Sequence, residues 1–186
     1  MIRQPRVKNP GLFYIDLKTI MDWKTLKNGI YSWDGSWLDL YVQGTTSTDW
    51  AKWVRLVNQQ YRIEWHNGET QKDESWIDFT IIEAYWAGDT KLCSTAKVFL
   101  DDRIQVNAHF FEATTIENDI DPRDFKSLED HQKLLDYMKA VSTALNKPIT
   151  LTPENCPEIP LIRVEGTVVD ISTGINPDDW PVRIKK

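Results

Sequence analysis

Alternating hydrophobic and polar residues predict β-strands through the middle of the chain. Residues 30–33 and 36–42 are rich in β-forming types and are separated by Asp34-Gly35. An Asp-Gly pair between two such runs predicts a hairpin with a type I′ turn, because both loop positions take positive φ. One of the two alternating side-chain sets of the second run should face the core. These sets are Leu38, Leu40 and Val42 on one side, and Trp37, Asp39 and Tyr41 on the other.

Further alternating runs predict more strands along the chain. Residues 95–100 and 104–111 form a second predicted hairpin, joined by Asp101-Asp102-Arg103. Strands are also predicted at residues 61–66 and 76–86. Shorter runs that could add edge strands lie at residues 149–151, 161–164 and 167–171.

Apolar residues spaced three and four apart predict two main helices. Residues 46–60 begin with Thr46 and Asp49, which resemble a capping box. Residues 127–146 begin with Ser127 as N-cap and end before Pro148, which disfavours helix at the preceding residue. The apolar stripes are Trp50, Trp53, Val54 and Val57 in the first helix, and Leu128, Leu134, Leu135, Met138, Val141 and Leu145 in the second. A shorter helix is predicted at residues 16–27.

Together these elements predict an α+β fold. Hairpins followed by a helix, rather than strands alternating with helices, favour a mostly antiparallel sheet. We expect about five to seven strands packed against two main helices. The length of 186 residues fits one domain, residues 1–186, with extended segments at residues 1–10 and 174–186.

The charge of the chain narrows the class of partner. The formal net charge is −6, and no basic stripe is visible along the sequence. A protein that binds DNA or RNA through phosphates usually carries such a stripe, so we expect no nucleic-acid partner. An acidic body instead suits a basic protein partner, because opposite fields speed encounter.

Several functional classes lack their motifs. The chain has no GxxxxGK[ST], GxGxxG or GxSxG sequence, so we expect no cofactor and no activated serine. Cys93 and Cys156 lie far apart in no CxxC pattern, which suits a reducing compartment. No signal-peptide pattern and no run of about 18 apolar residues is present. We therefore expect a cytoplasmic protein with no membrane partner.

One polar cluster could carry chemistry. If residues 116–121 turn back beside residues 104–111, His109 lies roughly opposite Asp119, and Glu117 and Asp121 share the face of Asp119. A histidine beside carboxylates can bind a divalent metal or act as general acid or base. The simpler interpretation is the outward polar face of a half-solvated sheet, on which these residues do no chemistry.

The first predicted hairpin offers a different kind of site. Trp37, Asp39 and Tyr41 fall on the face opposite its apolar set. If that face is exposed, aromatic residues around a carboxylate are typical of a protein-binding hot spot. The alternative is that a helix packs over this face and buries it.

Four short stretches resemble small bacterial proteins similar to immunity proteins, which neutralise a toxin made by the same or a related cell. They are WDGSWLDLYV at residues 33–42, the Asp49-Trp50 helix start, DIDPR at residues 119–123 and TPEN at residues 152–155. The resemblance covers roughly residues 30–164 and implies a binding role. It brings no catalytic residue to this chain.

These observations favour a non-enzymatic protein-binding module, of which an immunity-type inhibitor is one form. The predicted partner-binding residues are Trp37, Asp39 and Tyr41. The alternative is a metal-assisted or acid/base hydrolase that uses His109, Asp119 and Asp121 as catalytic or metal-binding residues. A structural or housekeeping role is a third interpretation, and the sequence leaves the oligomeric state open.

Overall fold

A computed structural model describes residues 22–90 and 94–172. Four helices are present in these residues: α1 (Trp23–Gly29), α2 (Ser47–Gln60), α3 (Phe79–Ala87) and α4 (Leu128–Leu145). The nine strands are β1 (Leu38–Gln43), β2 (Arg62–Asn67), β3 (Lys72–Glu74), β4 (Thr95–Phe99), β5 (Gln105–His109), β6 (Thr115–Ile120), β7 (Ile149–Pro153), β8 (Ile162–Glu165) and β9 (Val168–Ile171). The predicted α+β class is confirmed, with more strands and helices than expected.

All nine strands pair antiparallel in one sheet, in the order β3-β2-β4-β5-β6-β1-β7-β8-β9. Strand β1 lies between β6 and β7, so Leu38 pairs with Ile120 on one side and with Pro153 on the other. The predicted hairpin at residues 95–111 is confirmed as β4 and β5. Asp101 closes its turn by accepting hydrogen bonds from the backbone N–H groups of Arg103 and Ile104.

The helices cover one face of the sheet. Leu38, Leu40 and Val42 of β1 point into a core that α2 and α4 close. Trp53 of α2 donates a hydrogen bond from its indole nitrogen to the Tyr137 hydroxyl of α4, at 3.1 Å. This bond satisfies polar groups of both aromatic side chains inside an apolar interface. No helix in the described part of the chain is both long and apolar enough to cross a membrane.

Capping signals place the two main helices as predicted. The Thr46 hydroxyl accepts the backbone N–H of Asp49, and the Asp49 carboxylate accepts that of Thr46, so the capping box is complete. Ser127 caps α4 by accepting the N–H of Asp130. The predicted stripe of α4 is buried except for Leu128, which is 48% exposed because it lies at the first position of the helix.

The hairpin predicted at Asp34-Gly35 is wrong. The chain bends here, since Gly35 has a φ of 108° and the Asp34 carboxylate accepts the N–H of Ser36, but Asp34 does not take the positive φ that a type I′ turn requires. However, both edges of β1 are already paired, with β6 and β7, so residues 30–33 have no strand edge to join. Instead, Tyr31 packs into the core, where it stacks on Phe125 at 4.6 Å and hydrogen-bonds His131.

The strand predicted at residues 76–86 is also wrong, because most of this segment forms α3. Phe79, Ile82 and Trp86 follow a helical spacing of three and four, which competes with the period-two pattern. The side chain of Asp78 caps the N-terminus, and Gly88 ends the helix in the left-handed region at φ 83°. These two terminal signals decide between the competing periods.

The remaining predictions have mixed outcomes. The strands predicted at residues 61–66, 149–151, 161–164 and 167–171 are confirmed as β2, β7, β8 and β9. Of the short helix predicted at residues 16–27, residues 23–27 are confirmed as part of α1, and residues 16–21 lie outside the described residues. The extended segments predicted at residues 1–10 and 174–186 also lie outside them.

The capping box gives a test of the fold. Thr46→Ala should lower the free energy of unfolding by about 1 kcal/mol, because a helix donor loses its acceptor. Thr48→Ala is the control, since Thr48 is exposed inside the same helical turn. Urea unfolding followed by tryptophan fluorescence measures both. Equal midpoints for the two variants would contradict a stabilising role of the box.

Candidate interaction site on the open sheet face

Six polar and aromatic side chains form a grid on the sheet face opposite the helices, and we call them the polar cluster. Its two rows follow the strand registers across β5, β6 and β1. The rows are Asn107, Asp119 and Asp39, and His109, Glu117 and Tyr41. Alternation along each strand sends these residues to one face while their neighbours enter the core. The cluster therefore follows from the same pattern that builds the core.

His109 and Asp119 form the first hydrogen-bonded unit of the polar cluster. Nε2 of His109 lies 2.7 Å from Oδ2 of Asp119, and Asn107 donates to Oδ1 at 2.7 Å. The hydrogen bond to Asp119 raises the pKa of His109 above its ordinary value, although burial opposes this effect. The imidazole also stacks on Phe111 at 5.2 Å, and that phenyl ring is 57% exposed.

Asp39 and Tyr41 form the second unit, which is nearly buried. The Tyr41 hydroxyl donates to Oδ2 of Asp39 at 2.9 Å, and the backbone N–H of Asn155 donates to the same oxygen at 2.6 Å. Burial raises the pKa of Asp39 from 3.8 to about 6, although both hydrogen bonds lower it. Burial also raises the pKa of Tyr41, so its hydroxyl stays protonated.

No lysine or arginine lies on this face of the central strands β5, β6, β1 and β7. The flanking strands are different, because their carboxylates have cationic neighbours. Glu64 of β2 pairs with Arg62 at 3.0 Å, and Glu165 of β8 pairs with Arg163 at 3.0 Å. The centre of the face is therefore a concentrated acidic field between flanks of mixed charge.

An open groove of about 330 Å³ lies at one end of the polar cluster. Glu117 and Tyr41 line it on the sheet side, and the loop after β7 contributes to the opposite side. Its lining residues are Tyr41, Gln43, Glu112, Thr115, Glu117, Asn155 and Pro157. His109 and Asp119 are not among them, so the histidine–carboxylate pair lies beside the groove rather than in it.

The alternative catalytic or metal set is only partly assembled. His109 and Asp119 come together, but the strand register places His109 directly opposite Glu117, and its bond to Asp119 is diagonal. Asp121 does not join them. It caps the short 3-10 helix Pro122–Asp124 and binds the Arg123 guanidinium at 2.7 Å, because the strand ends before it. In the described residues, no group of three or more histidine, cysteine or acidic side chains could hold a metal ion.

The predicted partner-binding residues Trp37, Asp39 and Tyr41 are less exposed than expected. Asp39 and Tyr41 share a face as expected, but they are only 5% and 7% exposed. The reason is the loop after β7, whose Asn155 binds Asp39 and covers that part of the face. Trp37 is half-buried just before β1. The accessible part of the face is shifted to the neighbouring strand β6, where Glu117 and Asp119 lie.

Two members of the site were not predicted from the sequence. Asn107 lies two residues before His109 on the same strand, so the period of two predicts that both side chains are on one face. Asn155 had no such signal, because it acts through its backbone N–H in an irregular loop. Its partner Asp39 lies far away in sequence, and only the pairing of β1 with β7 brings them together.

Comparisons with known proteins do not place this chain in a family. No protein-family model matches the chain, and no curated protein or solved structure is significantly similar to it. The resemblance to immunity proteins therefore stays a prediction.

The buried carboxyl of Asp39 predicts a pH dependence of stability. Because its folded pKa of about 6 lies above 3.8, folding favours the protonated form. This stabilisation is fully present below about pH 4 and is lost as pH rises through about 6. Relative to Asp39→Asn, the free energy of unfolding should fall by on the order of 2–3 kcal/mol over that range.

Urea unfolding of both proteins at several pH values measures this difference. Tyr41→Phe is a useful second variant, because it removes a hydrogen bond that lowers the pKa of Asp39. In that variant the fall should continue to higher pH. A pH-independent difference between the native protein and Asp39→Asn would show that Asp39 does not titrate in this range.

Proposed function

We propose that the protein is a non-enzymatic protein-binding module whose open sheet face takes a basic partner. The observation that carries the proposal is the acidic centre of that face. Asp39, Glu117 and Asp119 lie together on strands that present no lysine or arginine there. The formal net charge of −6 adds a long-range field of the same sign.

The energetics favour an external cation at this position. Carboxylates placed directly across neighbouring strands repel one another and weaken the sheet. On the flanks, Arg62 and Arg163 pair with Glu64 and Glu165 and supply the countercharge from within the chain. Within the four central strands β5, β6, β1 and β7, a positive charge on this face comes from protonated His109 alone. A lysine or arginine from a partner would supply the missing countercharge.

The size of the face fits a partner that extends beyond the acidic centre. Four strands spaced about 4.8 Å apart, each contributing about five residues at ~3.3 Å, present roughly 300 Å². A stable interface covers about 800 Å² on each partner. The flanking strands β4 and β8 would therefore contribute contacts, and their mixed charges suit the polar rim of such an interface.

Toxin neutralisation is one form that this binding could take. The stretches that resemble immunity proteins include Asp39, Tyr41 and Asp119 of the polar cluster, as well as Asn155. An inhibitor that covers a basic toxin surface needs an accessible acidic face and no chemistry of its own. The acidic centre supports this form of the proposal without identifying the toxin.

An acid/base hydrolase is the second candidate, and the bond between His109 and Asp119 favours it. A carboxylate that accepts a hydrogen bond from one imidazole nitrogen orients the ring and supports its role as a base. If this candidate holds, the native protein should hydrolyse a phosphodiester or ester substrate, His109→Ala should abolish the turnover, and Glu165→Gln should not. Activity equal in His109→Ala and the native protein would eliminate His109 as the base.

Binding of a basic probe tests the leading proposal. A fluorescently labelled nona-arginine peptide should bind the native protein at low salt, and the affinity should fall as salt screens the charges. The double variant Glu117→Gln plus Asp119→Asn should bind roughly tenfold more weakly, because each exposed charge contact contributes about 0.5–1 kcal/mol. Fluorescence anisotropy measures the dissociation constants.

The matched control is Glu165→Gln plus Asp170→Asn. It also removes one glutamate and one aspartate charge from the same sheet face, but at the flank formed by β8 and β9. We expect its affinity to stay close to that of the native protein. Equal losses in the two double variants would mean that net charge alone attracts the peptide and that the acidic centre is not the docking site.

A further inference from the structure

We propose that docking of a cationic partner on the polar cluster expels a proton from it, so that binding strengthens as pH rises from about 5 to about 7. This inference rests on the proposed function and adds its regulation. It starts from the strand register, which places the carboxylates of Asp39 and Asp119 directly opposite each other on β1 and β6. Opposed side chains on antiparallel strands have Cβ atoms about 5 Å apart.

The carboxylates of Asp39 and Asp119 differ in their hydrogen bonds and in their burial. Asp119 uses both oxygens, one for Asn107 and one for His109. Asp39 accepts two hydrogen bonds on Oδ2 alone. Burial of Asp39 disfavours its carboxylate form most strongly, and repulsion from the like charges of Glu117 and Asp119 adds to this effect. A proton on Asp39 or on His109 reduces that repulsion in the free protein.

A partner can reach only part of the polar cluster. Asp39 is 5% exposed below the loop that carries Asn155, whereas the side chain of Asp119 is 24% exposed and Glu117 lines the open groove. The incoming cation therefore contacts Glu117 and Asp119. Asp39 does not contact the cation but feels its charge, since Asp39 lies next to Asp119 on the neighbouring strand β1. Contact and proton release thus occur at different residues.

The titratable groups around Asp39 set the direction of the effect. Those facing it from each neighbouring element are Tyr41 on β1, Glu117 and Asp119 on β6, His109 on β5, and Cys156 in the loop after β7. The pKa values of Asp39 and His109 are both raised, so both groups hold protons in mildly acidic solution. A cation beside Asp119 favours the carboxylate of Asp39 and disfavours the imidazolium, which lowers both pKa values. Both groups then release protons on binding.

Calorimetry of nona-arginine binding counts these protons. Arginine does not titrate in this range, so every proton released belongs to the protein. Titrations near pH 6 in two buffers of different ionisation enthalpy give the number directly. The native protein should release about half a proton or more per peptide, and its dissociation constant should fall about threefold between about pH 5.5 and 7.5.

Three variants test which groups carry the proton. Asp39→Asn and His109→Gln should each release fewer protons than the native protein, because each lacks one titrating group. Asp170→Asn is the control, since it makes the same chemical change at the flanking strand β9, and it should keep the native count. We call Asp39→Asn and His109→Gln the two carrier variants, and the test remains usable if one of them fails to fold.

The outcomes separate this inference from the proposed function. Binding without proton release, or with a count unchanged in both Asp39→Asn and His109→Gln, would overturn the linkage and leave the docking site intact. Failure of the peptide to bind at about pH 7.5 would overturn the docking site and the linkage together. Release that is lost only in the two carrier variants supports the proposal.

Discussion

The pairing of β1 on both of its edges is the constraint on which the rest of this structure depends. Strands β2 to β6 and strands β7 to β9 would form separate sheets without it, because β1 alone joins β6 to β7. Its apolar side anchors Leu38 and Leu40 in the core, and its other side places Asp39 beside Asp119. One strand thus determines both the hydrophobic core and the acidic face.

Local signals in the sequence predicted those elements whose ends are marked by side chains. The capping box at Thr46 and the Ser127 cap placed α2 and α4, and the turn at residues 101–103 placed a hairpin. The signals failed where distant partners decide the outcome. The chain bends at Asp34-Gly35 without forming a hairpin, because β6 and β7 pair with both edges of β1 in the folded protein. No local pattern records that competition.

The candidate site shows the same division. Period-two alternation correctly placed Asp39 with Tyr41 and brought His109 near Asp119, but as two unrelated hypotheses on two hairpins. The strand order β5-β6-β1 brings them together in one polar cluster, and local periodicity does not predict the order of strands. The predicted metal set of His109, Asp119 and Asp121 is not assembled. Asp121 lies past the end of β6 and binds Arg123 instead.

The position of β1 also has a consequence for how the chain is made. Leu38 pairs with Pro153, which follows it by most of the described sequence. During synthesis, β1 leaves the ribosome long before β7 exists, so one edge of this strand stays open until residues 149–153 have emerged. Sheets dominated by such distant pairings fold slowly, and open strand edges aggregate. The order in which the strands are translated therefore leaves an edge of β1 open to wrong pairing until β7 is made.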